Sequence, residues 1–287
     1  MTSNSNRTQF SKIAAFVALL IVVVAIYYFF FKPEVDSVAQ NGPLNAQIVT
    51  IEQKIELLSE INAPSGLAYD DEHERFLLIT DDFHFFVLNA GLNEVLFESR
   101  FQDGLEKEGI TYLGDHQAVI LAEDGTLVFM ADRGNNNWVE QNRSSFTPSG
   151  TLGSAAYDAQ NQHIYTANKT GEKFIYTLDR QGNLIEQFPL RLAEHITANR
   201  AYNLTNDYTI AGMTYHNGQL YLFSEAYSTI FKLDIASKEV TEVFGVQNML
   251  ESSGITAKDE HTFYIIGDAE LYLPRPSIYV VRLEIGD

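Results

Sequence analysis

Oxygen-bearing side chains recur at similar positions along the chain, each just after a short apolar run. They are Asp81, Glu123, Asn168, Glu225 and Asp268. Carboxylates and carboxamides of this kind bind hard cations, and Ca²⁺ accepts about 6–8 oxygen ligands in flexible geometry. A fold that gathers these positions in one place would create a candidate calcium site.

Glu108 is a further candidate ligand, because it stands just before a glycine and can reach the same level. Ser65 and Ser253 occupy the equivalent positions in other segments. We predict that Ca²⁺ is bound by a subset of Asp81, Glu108, Glu123, Asn168, Glu225 and Asp268. The alternative is that these side chains are structural and accept hydrogen bonds from backbone N–H groups of neighbouring loops. No linear calcium motif such as an EF-hand loop is present to decide between the two.

The elements that must position these residues form a repeat. Its template is residues 65–70, followed by the apolar run 76–80 and then Asp81. The copies are centred on Gly66, Gly109, Ser154, Gly212 and Gly254. These centres are 43, 45, 58 and 42 residues apart, a period typical of stacked or radial units. Each acidic position leads into a third strand and a hairpin turn rich in Gly, Asn and Asp, which indicates four-stranded antiparallel units.

The fifth unit lacks a fourth strand, since its third strand at residues 278–285 is followed by only two residues. A separate strand is predicted at residues 48–58, and it can cover the edge left open. These features predict an all-β, five-bladed β-propeller closed by an N-terminal strand. A six-bladed propeller and a sandwich of short strands are the alternatives. Residues 131–150 and 189–209 are long connections suited to recognition, although Trp138 in the first could equally cover a blade edge.

Charge and cysteine content limit the functions open to the chain. The formal net charge of −19 repels phosphate backbones and argues against nucleic acid as a partner. The chain contains no cysteine, which excludes disulfides, zinc–thiolate sites and thiol chemistry. Its 45% apolar content, with 19 Phe and 15 Tyr, suits one large globular β domain.

The N-terminal segment predicts a membrane anchor. Residues 1–12 form a polar tail with basic side chains, and residues 13–31 contain no charge. At about 1.5 Å per residue this run covers about 28 Å, close to the hydrocarbon thickness of a bilayer. The positive-inside rule places the tail in the cytoplasm and the bulk of this single-pass inner-membrane protein in the periplasm. Residues 32–47 are then a linker and residues 48–287 the propeller domain, with cleavage after residues 37–39 as the alternative.

Recognised motifs of hydrolytic, nucleotide-binding and zinc-protease chemistry do not occur, so no catalytic residue is predicted. The sequence favours a membrane-anchored module that binds an unknown small-molecule or protein ligand. The alternative is a calcium-dependent lactonase or esterase, in which the metal polarises a carbonyl and stabilises the oxyanion.

Several segments together resemble one family of proteins. They are Ser-Gly-Leu-Ala-Tyr-Asp at 65–70, Thr-Asp-Asp at 80–82, Lys-Glu-Gly-Ile-Thr-Tyr-Leu-Gly-Asp at 107–115 and Leu-Tyr-Leu-Phe-Ser-Glu at 220–225. In this order they resemble the SdiA-regulated, YjiK-like bacterial family, over residues 48–287. The resemblance implies a five-bladed propeller distantly related to NHL-repeat proteins, with calcium and without an established enzymatic activity.

The resemblance also bears on the candidate ligands. Glu108, Glu123 and Glu225 match acidic positions of the family. Ser154 and Asn168 depart from the pattern, because a Glu-Gly pair and a glutamate are expected there. The third repeat is therefore the one whose contribution to a metal site the resemblance supports least.

Overall fold

The computed structural model describes residues 42–247, 249, 252–268 and 275–284. The predicted cytoplasmic tail, the predicted span at 13–31 and most of the predicted linker lie outside these residues. Within the described part of the chain, no helix is both long enough and apolar enough to cross a bilayer.

The described strands form five sheets, or blades, numbered I to V in chain order. The chain enters through β1 (Gln47–Val49) and β2 (Ile51–Glu56). Blade I contains β3 (Pro64–Asp70), β4 (Arg75–Thr80), β5 (His84–Asn89) and β6 (Val95–Arg100). Blade II contains β7 (Lys107–Gly114), β8 (Gln117–Ala122), β9 (Thr126–Asp132) and β10 (Trp138–Ser145).

The remaining blades repeat this antiparallel order. Blade III contains β11 (Leu152–Asp158), β12 (His163–Asn168), β13 (Phe174–Leu178) and β14 (Leu184–Pro189). Blade IV contains β15 (Ile210–His216), β16 (Gln219–Ser224), β17 (Thr229–Asp234) and β18 (Glu239–Val246). Blade V contains β19 (Ser252–Ala257), β20 (Thr262–Gly267) and β21 (Ser277–Arg282), and β2 is its fourth strand.

The blades are arranged radially around the inner strands β3, β7, β11, β15 and β19. Each inner strand contacts the next, and β19 contacts β3, so the ring is closed. The core is divided among the seams between blades, where the apolar faces of adjacent sheets meet. At the seam between blades V and I, for example, Ile266 and Ile278 pack with Leu67 and Phe76. The predicted five-bladed propeller is confirmed.

The ring is closed by the N-terminal strands, as predicted, but they serve two blades rather than one. β2 pairs antiparallel with β21, with Ile55 opposite Ile278. β1 pairs in parallel with β18 of the preceding blade, with Ile48 opposite Gly245. The predicted strand at 48–58 is therefore two strands, which cover the outer edges of neighbouring blades.

The domain begins earlier than the predicted boundary at residue 48. Leu44 is buried in the core between blades III and IV, and it forms a bridge with Ala198. The Asn45 N–H donates to the Thr197 carbonyl at 3.0 Å. The end of the predicted linker is corrected for this reason: an apolar side chain and backbone hydrogen bonds join it to the long connection after blade III.

Trp138, at the start of β10, lies in the seam between blades I and II. It is 3% exposed, its ring meets Phe85 edge to face at 5.6 Å, and the Arg75 guanidinium lies 5.1 Å from its ring centre. Of the two interpretations offered by the sequence, packing at a blade edge is the one observed. The second long connection contains the short helix α1 (Leu204–Asp207), capped by the Asn203 side chain.

Candidate functional sites at the two mouths of the propeller

The first residue after the second strand of each blade lies at one mouth of the propeller. In each blade the last residue of that strand pairs with the first residue of the inner strand. The next residue is Asp81, Glu123, Lys169, Glu225 or Asp268. The backbone N–H of Asp81 donates to Ala63 at 2.8 Å and that of Lys169 to Thr151 at 2.8 Å, which puts the two in equivalent places. We call this set, with Glu106 and Glu108, the acidic mouth.

Asn168 does not belong to the acidic mouth. The sequence-based prediction was one residue out of register, because Lys169 occupies the mouth position in blade III. Asn168 is 1% exposed and pairs with Leu152 inside blade III. Its carboxamide oxygen accepts hydrogen bonds from the Tyr176 hydroxyl at 3.1 Å and the Phe174 N–H at 3.3 Å. Because neighbouring residues of a strand face opposite sides, a shift of one residue turns the asparagine away from the mouth. Blade III contributes a cation there instead.

Lys169 is the counter-charge of the acidic mouth. Its ammonium lies 2.8 Å from both carboxylate oxygens of Glu108, which comes from the inner strand of blade II. Burial alone would lower the pKa of Lys169, but its hydrogen bonds to Glu108 and the negative charges of Glu108, Asp81 and Glu225 outweigh it and raise that pKa. The lysine is therefore fully charged at neutral pH.

The carboxylates nevertheless outnumber this cation in the described part of the mouth. Burial raises the pKa of Glu108 despite Lys169, and the charges of Asp81 and Glu123 add to the effect. Burial likewise raises the pKa of Asp81, with contributions from Asp268 and Glu106 that oppose the lowering by Lys169 and Ser65. A cation would offset both the burial of these carboxylates and their mutual repulsion, so the mouth favours positive ions.

The donor set fits a hard cation at one point of this mouth. One carboxylate oxygen each from Glu106, Glu108 and Glu123 lies within 4.8 Å of the others. All three ligands are carboxylates, the type that Ca²⁺ prefers. Ser65 and Ser253, at the positions equivalent to Glu108, instead donate to neighbouring backbone carbonyls, at 2.7 Å to Lys107 and 2.6 Å to Pro64. Blades I and V thus use this position for inter-blade hydrogen bonds.

The opposite mouth, about 20 Å away along the seven residues of an inner strand, holds a pocket of about 340 Å³. We call it the tyrosine pocket, since Tyr69, Tyr112, Tyr157 and Tyr215 line it. Between these rings the lining contains Thr111, Thr214, Thr256, Asp71, Glu72, His216 and Lys258. Apolar ring faces, hydroxyl groups and charges of both signs thus meet in one cavity.

The ionisation states of the pocket groups follow from their burial. Burial raises the pKa of Tyr69, Tyr157 and Tyr215, so these hydroxyls keep their protons well above neutral pH. Burial lowers the pKa of His216, which is therefore neutral at pH 7. The hydrogen bond from the Tyr112 hydroxyl is the main cause that lowers the pKa of Glu72. The pocket thus offers neutral donors beside the ionised Glu72 carboxylate.

Sequence reasoning missed this pocket, although a signal for it was present. A tyrosine stands three residues after the template glycine or serine in four repeats, at Tyr69, Tyr112, Tyr157 and Tyr215. Positions at equal distance from the template residue of each inner strand recur at the same level around the axis. The repeated tyrosine therefore indicates a circle of aromatic side chains around the axis, just as the repeated acid indicates a circle of carboxylates.

The profile of a protein family described as SdiA-regulated matches residues 43–273. The chain belongs to the SdiA-regulated family. The resemblance seen in the motifs is thereby confirmed, and the match runs from the first described residues into blade V. Among curated proteins, no sequence matches this member of the family.

Two solved structures share the fold of this SdiA-regulated family member. Glutaminyl cyclase of Myxococcus xanthus superposes with a TM-score of 0.63 at 14% identity, covering 85% of this chain and 100% of that chain. The PQQ-bound aldose sugar dehydrogenase of Streptomyces coelicolor gives a TM-score of 0.51 at 10% identity, covering 82% of this chain and 97% of that one. At such low identity these similarities establish the propeller and carry no activity over to this chain.

Proposed function

We propose that this chain is a binding module, anchored in the inner membrane by its N-terminal segment, with its propeller in the periplasm. The tyrosine pocket receives a small polyhydroxylated ligand, such as a saccharide, and the acidic mouth holds Ca²⁺. The observation that carries the proposal is the ring of tyrosines around the 340 Å³ pocket. The module recognises its ligand and does not transform it.

The composition of the tyrosine pocket supports a saccharide as the ligand class. Aromatic faces such as that of Tyr69 pack against the C–H faces of a sugar ring. The carboxylates of Asp71 and Glu72 accept hydrogen bonds from ligand hydroxyls, and such bonds to charged groups contribute about 1.5–3 kcal/mol each. Neutral tyrosine hydroxyls and threonines supply further hydrogen-bonding partners. Ligand sites with this mixture of apolar lining and a few polar groups are typical of small-molecule recognition.

Calorimetric titration with mono- and disaccharides, and with free amino acids as a second ligand class, tests the pocket. We expect a saccharide to bind and Tyr69→Phe to weaken it about fivefold, since one hydroxyl hydrogen bond contributes about 1 kcal/mol. Tyr202→Phe is the control, because Tyr202 is 42% exposed and outside the pocket. If amino acids bind and saccharides do not, the proposed ligand class is wrong. If Tyr69→Phe and Tyr202→Phe bind the ligand with equal affinity, the tyrosine pocket is not the binding site.

Calcium at the acidic mouth is supported by the converging carboxylates of Glu106, Glu108 and Glu123. A bound Ca²⁺ would supply positive charge to the surplus of carboxylates, with all three ligands drawn from blade II and the segment that enters it. Since Lys169 already donates to Glu108, metal and ammonium compete for the same oxygens. The competition predicts moderate rather than very tight affinity.

Calcium titration of the chelator-treated protein tests this part of the proposal. We expect binding with a rise in melting temperature, and at least tenfold weaker binding in Glu123→Gln, because a carboxamide contributes one neutral oxygen in place of a charged carboxylate. Glu94→Gln, in the exposed hairpin of blade I, is the matched control and should bind like the unaltered protein. If calcium produces no heat of binding and no shift in melting temperature, the calcium site is excluded.

The calcium-dependent hydrolase alternative needs the Ca²⁺ ion, with an open coordination position, beside the substrate pocket. In the described residues, the tyrosine pocket and the acidic mouth lie at opposite ends of the inner strands. This separation gives no support to a mechanism in which the metal polarises a ligand bound in that pocket. A binding module requires no such proximity.

A further inference from the structure

Two histidines from adjacent blades meet at the rim of the tyrosine mouth. His73 lies in the turn between β3 and β4, and His116 in the turn between β7 and β8. Their ring centroids are 4.6 Å apart, with 44° between the ring planes. The turn at His116 is a tight two-residue connection in which Asp115 and His116 both have positive φ, at 52° and 59°. This turn fixes the position from which the second imidazole projects.

Carboxylates complete the group. One ligand atom each from Asp70, Glu72 and His73 lies within 4.8 Å of the others. Glu72 is exposed and is also part of the tyrosine pocket lining, whereas Asp70 is fully buried. The two carboxylates therefore differ in role: Glu72 is available to a ligand from solvent, and Asp70 is held inside the protein.

Asp70 orients the imidazole of His73. Its carboxylate accepts from Arg75 Nε at 2.6 Å and lies 3.0 Å from His73 Nδ1. A buried carboxylate in contact with Nδ1 favours the tautomer with the proton on that nitrogen, which leaves Nε2 with its lone pair. Histidines that bind metals are commonly oriented by a carboxylate on their other nitrogen in this way.

Glu72 is oriented by comparable contacts. Its Oε2 accepts from the Tyr112 hydroxyl at 2.7 Å, and its Oε1 accepts from the Asp115 N–H at 3.2 Å. The Tyr112 oxygen in turn accepts from the His116 N–H at 3.1 Å. Each carboxylate oxygen of Glu72 keeps a further lone pair, so these bonds position the group without exhausting it. The hydrogen bonds also join Glu72 of blade I to the turn that carries His116.

We propose that His73, His116 and Glu72 form a site for a transition-metal ion once the His116 imidazole turns from its contact with the His73 ring toward Glu72, with Zn²⁺ the ion that fits best. Two imidazole nitrogens and one carboxylate oxygen are a ligand set that Zn²⁺ binds at about 2.0–2.2 Å, and Ca²⁺ does not favour nitrogen ligands. Three protein ligands leave a fourth position for water or a ligand atom. Because Glu72 also lines the tyrosine pocket, the ion lies on the rim of that pocket. The site shares Glu72 with the saccharide proposal and is independent of the calcium proposal.

The test is zinc titration of the full chain, purified without a histidine tag, with excess Ca²⁺ present to occupy the acidic mouth. We expect one equivalent of Zn²⁺, with affinity reduced at least tenfold in His73→Gln and in His116→Gln. Titration with Co²⁺ followed by visible absorption reports a nitrogen- and oxygen-ligated ion directly. His163→Gln is the matched control, because His163 opens β12 in blade III and its ring contacts Tyr165 instead of a second histidine.

The outcomes separate the site from unspecific binding. Loss of binding in both rim histidine variants with retention in His163→Gln supports the site. Absence of zinc binding in the unaltered protein overturns it, as does unchanged affinity in His73→Gln and His116→Gln. If either histidine variant fails to fold, Glu72→Gln decides in its place, since Glu72 is an exposed turn residue and its loss should also reduce affinity at least tenfold. Unchanged affinity in Glu72→Gln would then count against the site.

Discussion

Lys169→Gln is expected to lower the free energy of unfolding by about 3 kcal/mol at pH 7, measured by chemical denaturation. The substitution removes the ammonium that lies 2.8 Å from both oxygens of Glu108, whose side chain is only 10% exposed. Glu108 is then left beside Asp81 and Glu123 without its cation. An uncompensated buried charge destabilises the folded state more than the intact ion pair stabilises it.

Lys238→Gln is the control for this prediction. Lys238 pairs with Glu186 at 2.6 Å, but both side chains are more than 40% exposed. Solvent screens such a pair, and its loss should cost less than about 1 kcal/mol. The double variant Lys169→Gln/Glu108→Gln should recover most of the lost stability, because the buried charge is removed with its partner. Equal losses in Lys169→Gln and Lys238→Gln would contradict the assigned role of Lys169.

The loss in free energy of unfolding caused by Lys169→Gln should become smaller as the pH falls. Glu108 and Asp81 already have raised pKa values, and loss of the ammonium raises them further. A carboxyl with a raised pKa in the folded state takes up its proton before the unfolded chain does, so the folded state gains stability as pH falls from neutral toward about 4. Denaturation at several pH values within this range measures the effect.

Calcium should bind more tightly to Lys169→Gln than to the unaltered protein, because the competing ammonium is gone. The proposed Ca²⁺ would then replace the missing positive charge and raise the melting temperature of the variant more than that of the parent. Paired thermal melts with and without Ca²⁺ measure the difference. If Lys169→Gln is destabilised but its melting temperature does not respond to Ca²⁺, the structural role of Lys169 is supported and the calcium site is excluded.

Gly109→Ala is expected to destabilise the propeller by about 3 kcal/mol, at the upper end of the usual cost of overpacking. A Cβ at Gly109 would lie 2.6 Å from the Ala155 nitrogen and 2.7 Å from the Ser154 carbonyl carbon. These are backbone atoms of the inner strand of blade III, so they cannot move away as a side-chain end could. The strands β7 and β11 would have to separate, and the adjoining seams would loosen with them.

Gly91→Ala provides the comparison for this substitution. Gly91 lies at the exposed tip of a blade I hairpin, where a Cβ would come nearest to the Asn93 side chain at 3.2 Å. That side chain can adjust, so we expect a change within about 0.5 kcal/mol. Chemical denaturation of both variants shows whether the loss of stability comes from the close approach of the inner strands or from replacing a glycine anywhere in the chain. Similar stability of the two variants would show that the inner strands tolerate separation.

The blade architecture could be predicted because it depends on local patterns repeated along the chain. Each copy contains its own apolar strands and turn residues, such as the Asn217-Gly218 turn between β15 and β16, where both residues have positive φ. The closing strand was also predictable, because the fifth repeat contains only three strands and the predicted strand at 48–58 belongs to no repeat. Its division into β1 and β2 was not, because β18 already completes a four-stranded unit and nothing in the sequence indicates a further strand paired in parallel with it.

The mouth residues show where counting along the sequence ceases to be sufficient. The acidic positions follow their template residue by 13 to 15 positions, because the turns between the first two strands differ in length, from four residues after Asp70 to two after His216. In blade III the register is interrupted between Leu152 and Ala155, and this decides that Lys169 faces the mouth while Asn168 turns into the blade. Side-chain alternation makes a strand sensitive to a single residue of register, which only the paired sheet specifies.

By itself, the sequence determined the number of blades, the method of closure and the excess of acid at one level, since all three follow from periodicity. Only the tertiary structure decided that a lysine neutralises part of this acid, that the repeated tyrosines enclose a pocket, and that His73 meets His116. These depend on which side chains of different blades converge on one point. Convergence across a ring is set by strand register and by the packing of adjacent blades, neither of which is a local property of the chain.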